Sequence, residues 1–359
     1  MSIESDLAKE GIKIIKPIDA LMVNSIAKNV AEKLVSTFPE QNLDYDKLFI
    51  AFSRLPMYYV QMPNGTTFAK YYHRNSSIYF SNNIAPNELI NFAIHELIHF
   101  IQENRDKNNN LLRLGLCDFT HPKLVGMALN EAAVQLMTSK ILNLKQDKVK
   151  YFGITIPTTS PDYYPLECNL VNQLAYIVGE DILFNSTLNG NLVFETTLTT
   201  LTSKKSFKQI RDNLDIIMIL EDKLSYLSYK LENNELGKKK EKFEIKIEKI
   251  KNRVTNLFIE TQNLILSSYF DLYFNELYSI KGIENFRNKL YCYQRYIGTT
   301  DNYSFYSNYY ISKMADLEKK RTEFKNNSIA LIPVKNNPVV SLFKKIAQML
   351  HLQKSLSKE

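Results

Sequence analysis

His95-Glu96-Leu97-Ile98-His99 reads H-E-x-x-H, and the residues around it are spaced as in a helix. Apolar side chains recur at Leu89, Phe92, Ala93, Leu97, Phe100 and Ile101, the pattern of a buried helical face. Residues four apart on a helix lie one turn above each other on the same face. His95 and His99 can therefore aim two imidazole nitrogens at one zinc ion, with Glu96 beside them to take a proton from water. The chain has five His in 359 residues, and roughly 0.005 matches to so specific a pattern are expected by chance. The plainer alternative is a buried helix whose two His make core hydrogen bonds. Pro86 is expected in the first helical turn, where its missing N–H costs nothing, and Asn108-Asn109-Asn110 marks a loop beyond the helix.

A catalytic zinc needs a third protein ligand and an open position. Glu131 is the leading candidate. It lies in the Ala-rich stretch Met127-Ala128-Leu129-Asn130-Glu131-Ala132-Ala133-Val134, where a carboxylate is costly to bury unless paired or metal-bound. The bland alternative is a solvent-facing Glu. His121, before Pro122 in a predicted loop, is the rival; Glu103, Asp106 and Asp118 fall near loops.

The motif followed by Asn130-Glu131 on a later helix resembles the gluzincin zinc metallopeptidases. The resemblance spans roughly residues 45 to 190. Thirty-one residues separate His99 from Glu131, a longer spacing than in thermolysin-like members. It implies zinc held by His95, His99 and Glu131, Glu96 as general base, and hydrolysis of peptide bonds by metal-activated water. It also implies an oxyanion donor, commonly Tyr or His. Tyr164 and Tyr163, after the loop Thr158 to Asp162, are candidates for that role among the 22 Tyr, and His73 is another.

The region before the motif fits the same order. Ile18 to Phe38 reads as an amphipathic helix with Leu21, Ile26, Val30 and Leu34 along one stripe. Leu48 to Phe52, Met57 to Gln61, Thr66 to Tyr72 and Ser77 to Phe80 read as strands, the last two as a hairpin. In the resembling family an edge strand pairs with extended substrate, and Ser77 to Phe80 is the segment expected to do so. The fold class expected is α+β. A zincin-like domain over residues 1–200, a small sheet plus the metal helix, precedes a mainly helical domain over 201–330 and a basic amphipathic tail over 331–359.

Nine of the eleven prolines occur by Pro165 and none lies between Pro165 and Pro333, which favours long helices there. The Thr-rich stretch Glu195 to Thr202 is the expected joint. Ile210, Leu214, Ile217, Leu220, Leu224, Leu227 and Leu231 step by three and four, and Phe243, Ile247, Ile250, Val254, Leu257 and Leu264 continue after a polar turn around Gly237. This predicts an antiparallel helical hairpin. Residues 201–359 hold 28 Lys and Arg against 18 Asp and Glu, net +10; residues 1–200 hold 17 against 20, net −3. The basic half, with Lys238-Lys239-Lys240, Lys319-Lys320-Arg321 and the tail, can attract an acidic partner or a membrane surface. No nucleic-acid motif accompanies it. The expected partner of the motif region is a peptide or protein substrate.

The start Met1-Ser2-Ile3-Glu4-Ser5-Asp6 is acidic, no apolar run is long enough to cross a bilayer, and the three cysteines lack disulfide or zinc-finger spacing. A cytoplasmic location is the expectation, without excluding export by a signal-free route. A helical interaction protein carrying a structural or inactive zincin domain is the alternative to a peptidase. Such a scaffold would need the two His but not Glu96.

Overall fold

The computed structural model describes residues 3–63, 68–121, 124–233, 240–300 and 305–327. The chain is a mixed α and β protein, mainly helical, with three small sheets among the described residues.

After α1 (Ile3–Lys9) and β1 (Lys13–Pro17), helix α2 (Ala20–Thr37) starts where the Asp19 carboxylate accepts the Met22 N–H at 2.9 Å. Its buried face is Val23, Ile26, Ala27, Val30, Ala31 and Leu34. Leu21, expected on that stripe, is 82% exposed. Residues 48–52, expected as a strand, belong to helix α3 (Tyr45–Ser53). The Asp44 side chain caps its first turn by accepting the Lys47 N–H, and Tyr45, Leu48, Phe49 and Phe52 recur at the helical three-and-four spacing. Aromatic and β-branched content misleads over so short a run, and the cap decides.

Strands β2 (Met57–Gln61), β3 (Ala69–Tyr72) and β4 (Ser77–Ser81) complete a sheet ordered β1-β2-β4-β3. The predicted hairpin is β3 with β4, antiparallel, Tyr71 facing Ile78. The expected substrate edge is misplaced, however. Ser77 to Phe80 lies inside the sheet, parallel to β2 on one side and antiparallel to β3 on the other, and all five residues of β4 are buried. Strand addition at β4 is excluded; the edge strands are β1 and β3, and β3 is the one packed beside α4.

Helix α4 (Leu89–Ile101) carries the motif. Pro86 lies outside its first turn, in the turn before it. The Asn108–Asn110 loop joins β5 (Glu103–Arg105) to β6 (Leu111–Leu114), which pairs with β7 (Cys117–Asp118). Helix α5 (Met127–Ile141) carries Glu131. Strands β8 (Asp147–Tyr151) and β9 (Ile154–Thr158) precede α6 (Pro165–Val178), α7 (Glu180–Asn189) and α8 (Val193–Leu201); the Thr-rich stretch expected as a joint is mostly helix α8.

The predicted hairpin helices are α9 (Lys204–Glu232) and α10 (Lys240–Asn275), packed along each other. The turn around Gly237 and the tail over 331–359 lie outside the described residues. Helix α11 (Ile280–Tyr293), strand β10 (Thr299–Thr300) and helix α12 (Phe305–Asn327) follow. Strand β10 adds to β9, so the C-terminal half completes a sheet begun near residue 147. One continuous apolar core runs from Ile18 to Leu317. No helix among the described residues is long and apolar enough to cross a membrane.

Within α12, Lys320 donates to the Phe274 carbonyl at 2.8 Å and Arg321 approaches Glu284 and Glu318, so that basic run is partly used internally. Tyr269, Tyr293 and Tyr306 are buried between helices, where aromatic packing accounts for them.

Candidate metal centre

Helices α4 and α5 pack together with His95, His99 and Glu131 between them. The two His Nε2 atoms are 3.0 Å apart. Glu131 Oε2 lies 3.3 Å from His95 Nε2, and Oε1 lies 3.4 Å from His99 Nε2. Ligand bonds of about 2.0–2.1 Å in a tetrahedron put neighbouring donors about 3.3 Å apart. The donor set and its spacing therefore fit a metal ion, and this is the one such group of three or more metal-ligating side chains among the described residues. Glu131, not His121, joins the motif: His121 is exposed and contacts Thr120 Oγ1 at 2.8 Å. Glu103 instead accepts from Tyr71 Oη and Arg105, Asp106 holds its own loop, and Asp118 accepts from Thr120.

The far nitrogens of both imidazoles are held. His95 Nδ1 lies 3.1 Å from Gln135 Oε1, and His99 Nδ1 lies 3.1 Å from Gln102 Oε1. An amide oxygen accepts only, so each Nδ1 carries a proton and each Nε2 is the nitrogen aimed at the shared point. Gln102 and the fully buried Asn130 bond each other through both amides at 3.3 Å, and Asn130 Oδ1 also accepts the Leu116 N–H at 3.0 Å. These supporting amides were not anticipated from the sequence. One signal was present: Gln135 follows Glu131 by one helical turn, so it shares the face of any ligand there.

Burial works against charge on His99, but the Glu131 carboxylate holds the imidazole above its ordinary value. Burial likewise disfavours the Glu131 anion, yet the His99 and His95 imidazoles hold its carboxyl well below the ordinary range. Metal binding must displace the proton this pair shares.

Glu96 is buried, and its Oε2 accepts the backbone N–H of Tyr71 at 2.5 Å. That bond comes from the free edge of β3. Ser81 N donates to Phe68 O, so Phe68 and Lys70 turn toward β4 while Ala69 and Tyr71 turn their backbone groups outward. Tyr71 Oη in turn donates to Glu103 at 2.7 Å, tying the strand to the residues just after α4.

A cavity of about 470 Å³ opens beside the centre, lined in part by Phe68, Ala69, His95, Glu96, Tyr163 and Tyr164. Tyr164 has φ +51°, an uncommon backbone conformation for a non-glycine residue, held in place at the start of α6. The Glu131 carboxylate, then burial and Glu96, push its phenol well above the ordinary value, so it stays a proton donor. Tyr163 is more exposed and stacks edge-on against Phe92. His73 packs against Phe119 and is not among the cavity-lining residues.

Comparison with protein-family models, curated proteins and solved structures finds no match to this chain, so the reading of this centre rests on its own residues and geometry.

Proposed function

We propose that the protein is a zinc-dependent, gluzincin-like peptidase with a zincin-like catalytic layer formed by the β1-β2-β4-β3 sheet, α4 and α5. The observation that carries this reading is the combination of a His-His-Glu centre whose His95 faces the cleft with a carboxylate that is not one of its members, Glu96, at the wall of the same cleft. Zinc bound there would supply Lewis acidity, which makes water a nucleophile near neutral pH and polarises a carbonyl.

The chain's own groups do the rest. The outward backbone groups of Ala69 on β3 align an extended peptide. Glu96, oriented by the Tyr71 N–H, accepts a proton from the attacking water and passes it to the departing amine. The protonated Tyr164 hydroxyl donates to the oxygen that gains charge on the attacked carbonyl, with Tyr163 as second candidate for that role.

The test joins metal analysis to chemistry. Elemental analysis should find one zinc per chain in the wild type and its loss in His95→Ala. Glu96→Gln keeps the side chain's size but not its basicity. It should retain zinc and lower hydrolysis of a peptide library by about 10² or more. Equal cleavage by both proteins would place the activity elsewhere. Silence from both across broad libraries would end the reading as a general peptidase in favour of an interaction protein with an inactive centre.

A further inference from the structure

One end of the cleft has a chemistry of its own. Phe68 and Phe92 stack with ring centroids 5.2 Å apart, and Tyr163 meets Phe92 edge-on at 6.3 Å. Aromatic side chains are normally covered, yet Phe68 is 36% and Tyr163 38% exposed, on the cleft wall that also holds His95 and Glu96. Two carboxylates, Glu88 at the start of α4 and Asp162 in the loop before α6, line the same cleft. Both act on Tyr163: after burial, their charges are what raise its phenol. No Lys or Arg is among the described residues that line the cleft, so neither carboxylate is neutralised there. Leu142 and Leu144 add apolar surface beside them.

Exposed aromatic faces beside unneutralised carboxylates attract a cation that also carries an apolar stem. A neutral aliphatic side chain would leave the carboxylates unused, and an acidic one would be repelled by them. Arginine suits the place better than lysine, because its planar guanidinium stacks on rings while forming paired bonds to a carboxylate.

We propose that this aromatic and acidic end of the cleft is a specificity subsite for a basic side chain, arginine foremost, on the substrate residue next to the scissile bond. The proposal rests on the peptidase reading for the word scissile, but the subsite's preference for a cation is measurable without turnover.

The experiment uses blocked peptides identical except at one position, carrying Arg, Lys, Leu, Phe or Glu. Zinc-loaded wild type should favour Arg and Lys over Leu by roughly five- to tenfold in kcat/KM, the scale of a cation–π contact plus a solvent-screened ion pair. Glu88→Gln combined with Asp162→Asn should collapse that ratio to about twofold, and raising the salt should shrink it in the wild type. A wild-type preference for Leu, Phe or Glu, or an Arg preference that survives the double substitution, overturns the proposal while leaving the peptidase reading intact. If no peptide is cut, that reading fails, and fluorescence anisotropy of the same labelled peptides on zinc-loaded protein decides the subsite. Tighter Arg binding that requires the two carboxylates upholds it, and equal affinities overturn it.

Discussion

At Gly115 the backbone has φ +55°, and a Cβ there would sit 2.2 Å from Asn130 Oδ1 and 2.6 Å from Gln102 Nε2. The bare glycine makes room for the amide pair that holds His99. Gln102→Leu should therefore leave the fold intact but weaken zinc binding by about 10- to 100-fold, the usual cost of losing a group that orients a metal-bound imidazole. Gly115→Ala should move in the same direction by displacing both amides and adding backbone strain. Competition against a chelator of known affinity measures both; unchanged affinity in Gln102→Leu would show that His99 is held without it. His95, Glu96 and His99 were legible because spacing on one helix is a property of sequence. Glu131 was legible as a carboxylate in an apolar helix. Gln102, Asn130 and Gly115 were not, because amides and glycines are common on surfaces and only the packing of α4, α5 and the β6–β7 turn brings these together.

Strand β3 has one neighbour, β4, and at the cleft it turns the backbone groups of Ala69 outward, while the outward Tyr71 N–H is taken by Glu96. Reading the hairpin from sequence located both strands but not which of them was outermost. The parallel pairing of β2 with β4 decides that, and it joins segments that are not adjacent in sequence. A hint lay in the composition: Ile78-Tyr79-Phe80 is a continuous apolar run, as suits a strand covered on both faces. Ala69→Pro removes an outward N–H from the edge, where proline is tolerated. It should lower kcat/KM for extended peptides by roughly tenfold, the upper scale of one lost backbone hydrogen bond, with zinc content unchanged. Steady-state kinetics with metal analysis checks this, and an unaltered kcat/KM would move substrate alignment away from β3.

Across the molecule, the C-terminal helices do more than extend the core. The Asp215 carboxylate of α9 accepts the Gly126 and Ala128 N–H groups at 2.9 and 3.0 Å, capping the helix that carries Glu131. Periodicity predicted α9 but could not show that it reaches back 87 positions to serve as a cap. Asp215→Ala should lower stability by about 1 kcal/mol, the usual worth of a cap, and loosen zinc binding with it; thermal melts with and without chelator separate the two effects. A second contact of α9 has the opposite sign. Glu167 of α6 is fully buried, with no basic group among the described residues against either carboxylate oxygen, and faces Glu221 of α9. Burial pushes its carboxyl up to about 7, and burial with the nearby Glu167 charge also raises Glu221 of α9. The pair is stable only while it keeps a proton. Below the ordinary carboxyl value of 4.5 it costs nothing by this route. As pH climbs from there through 7, the unfolded chain gives up that proton more readily than the folded one, so stability falls, and the full penalty persists above. Glu167→Gln supplies a neutral donor facing Glu221 and removes the conflict. At pH 8 it should melt roughly 1–2 °C above the wild type, the scale of 1 kcal/mol in a chain of this length. The gap should close as pH is lowered toward 4.5. Melting curves from pH 4 to 8 decide it: a variant that is less stable by the same amount at every pH would mean that Glu167 holds α6 and α9 together as an anion with a partner of its own.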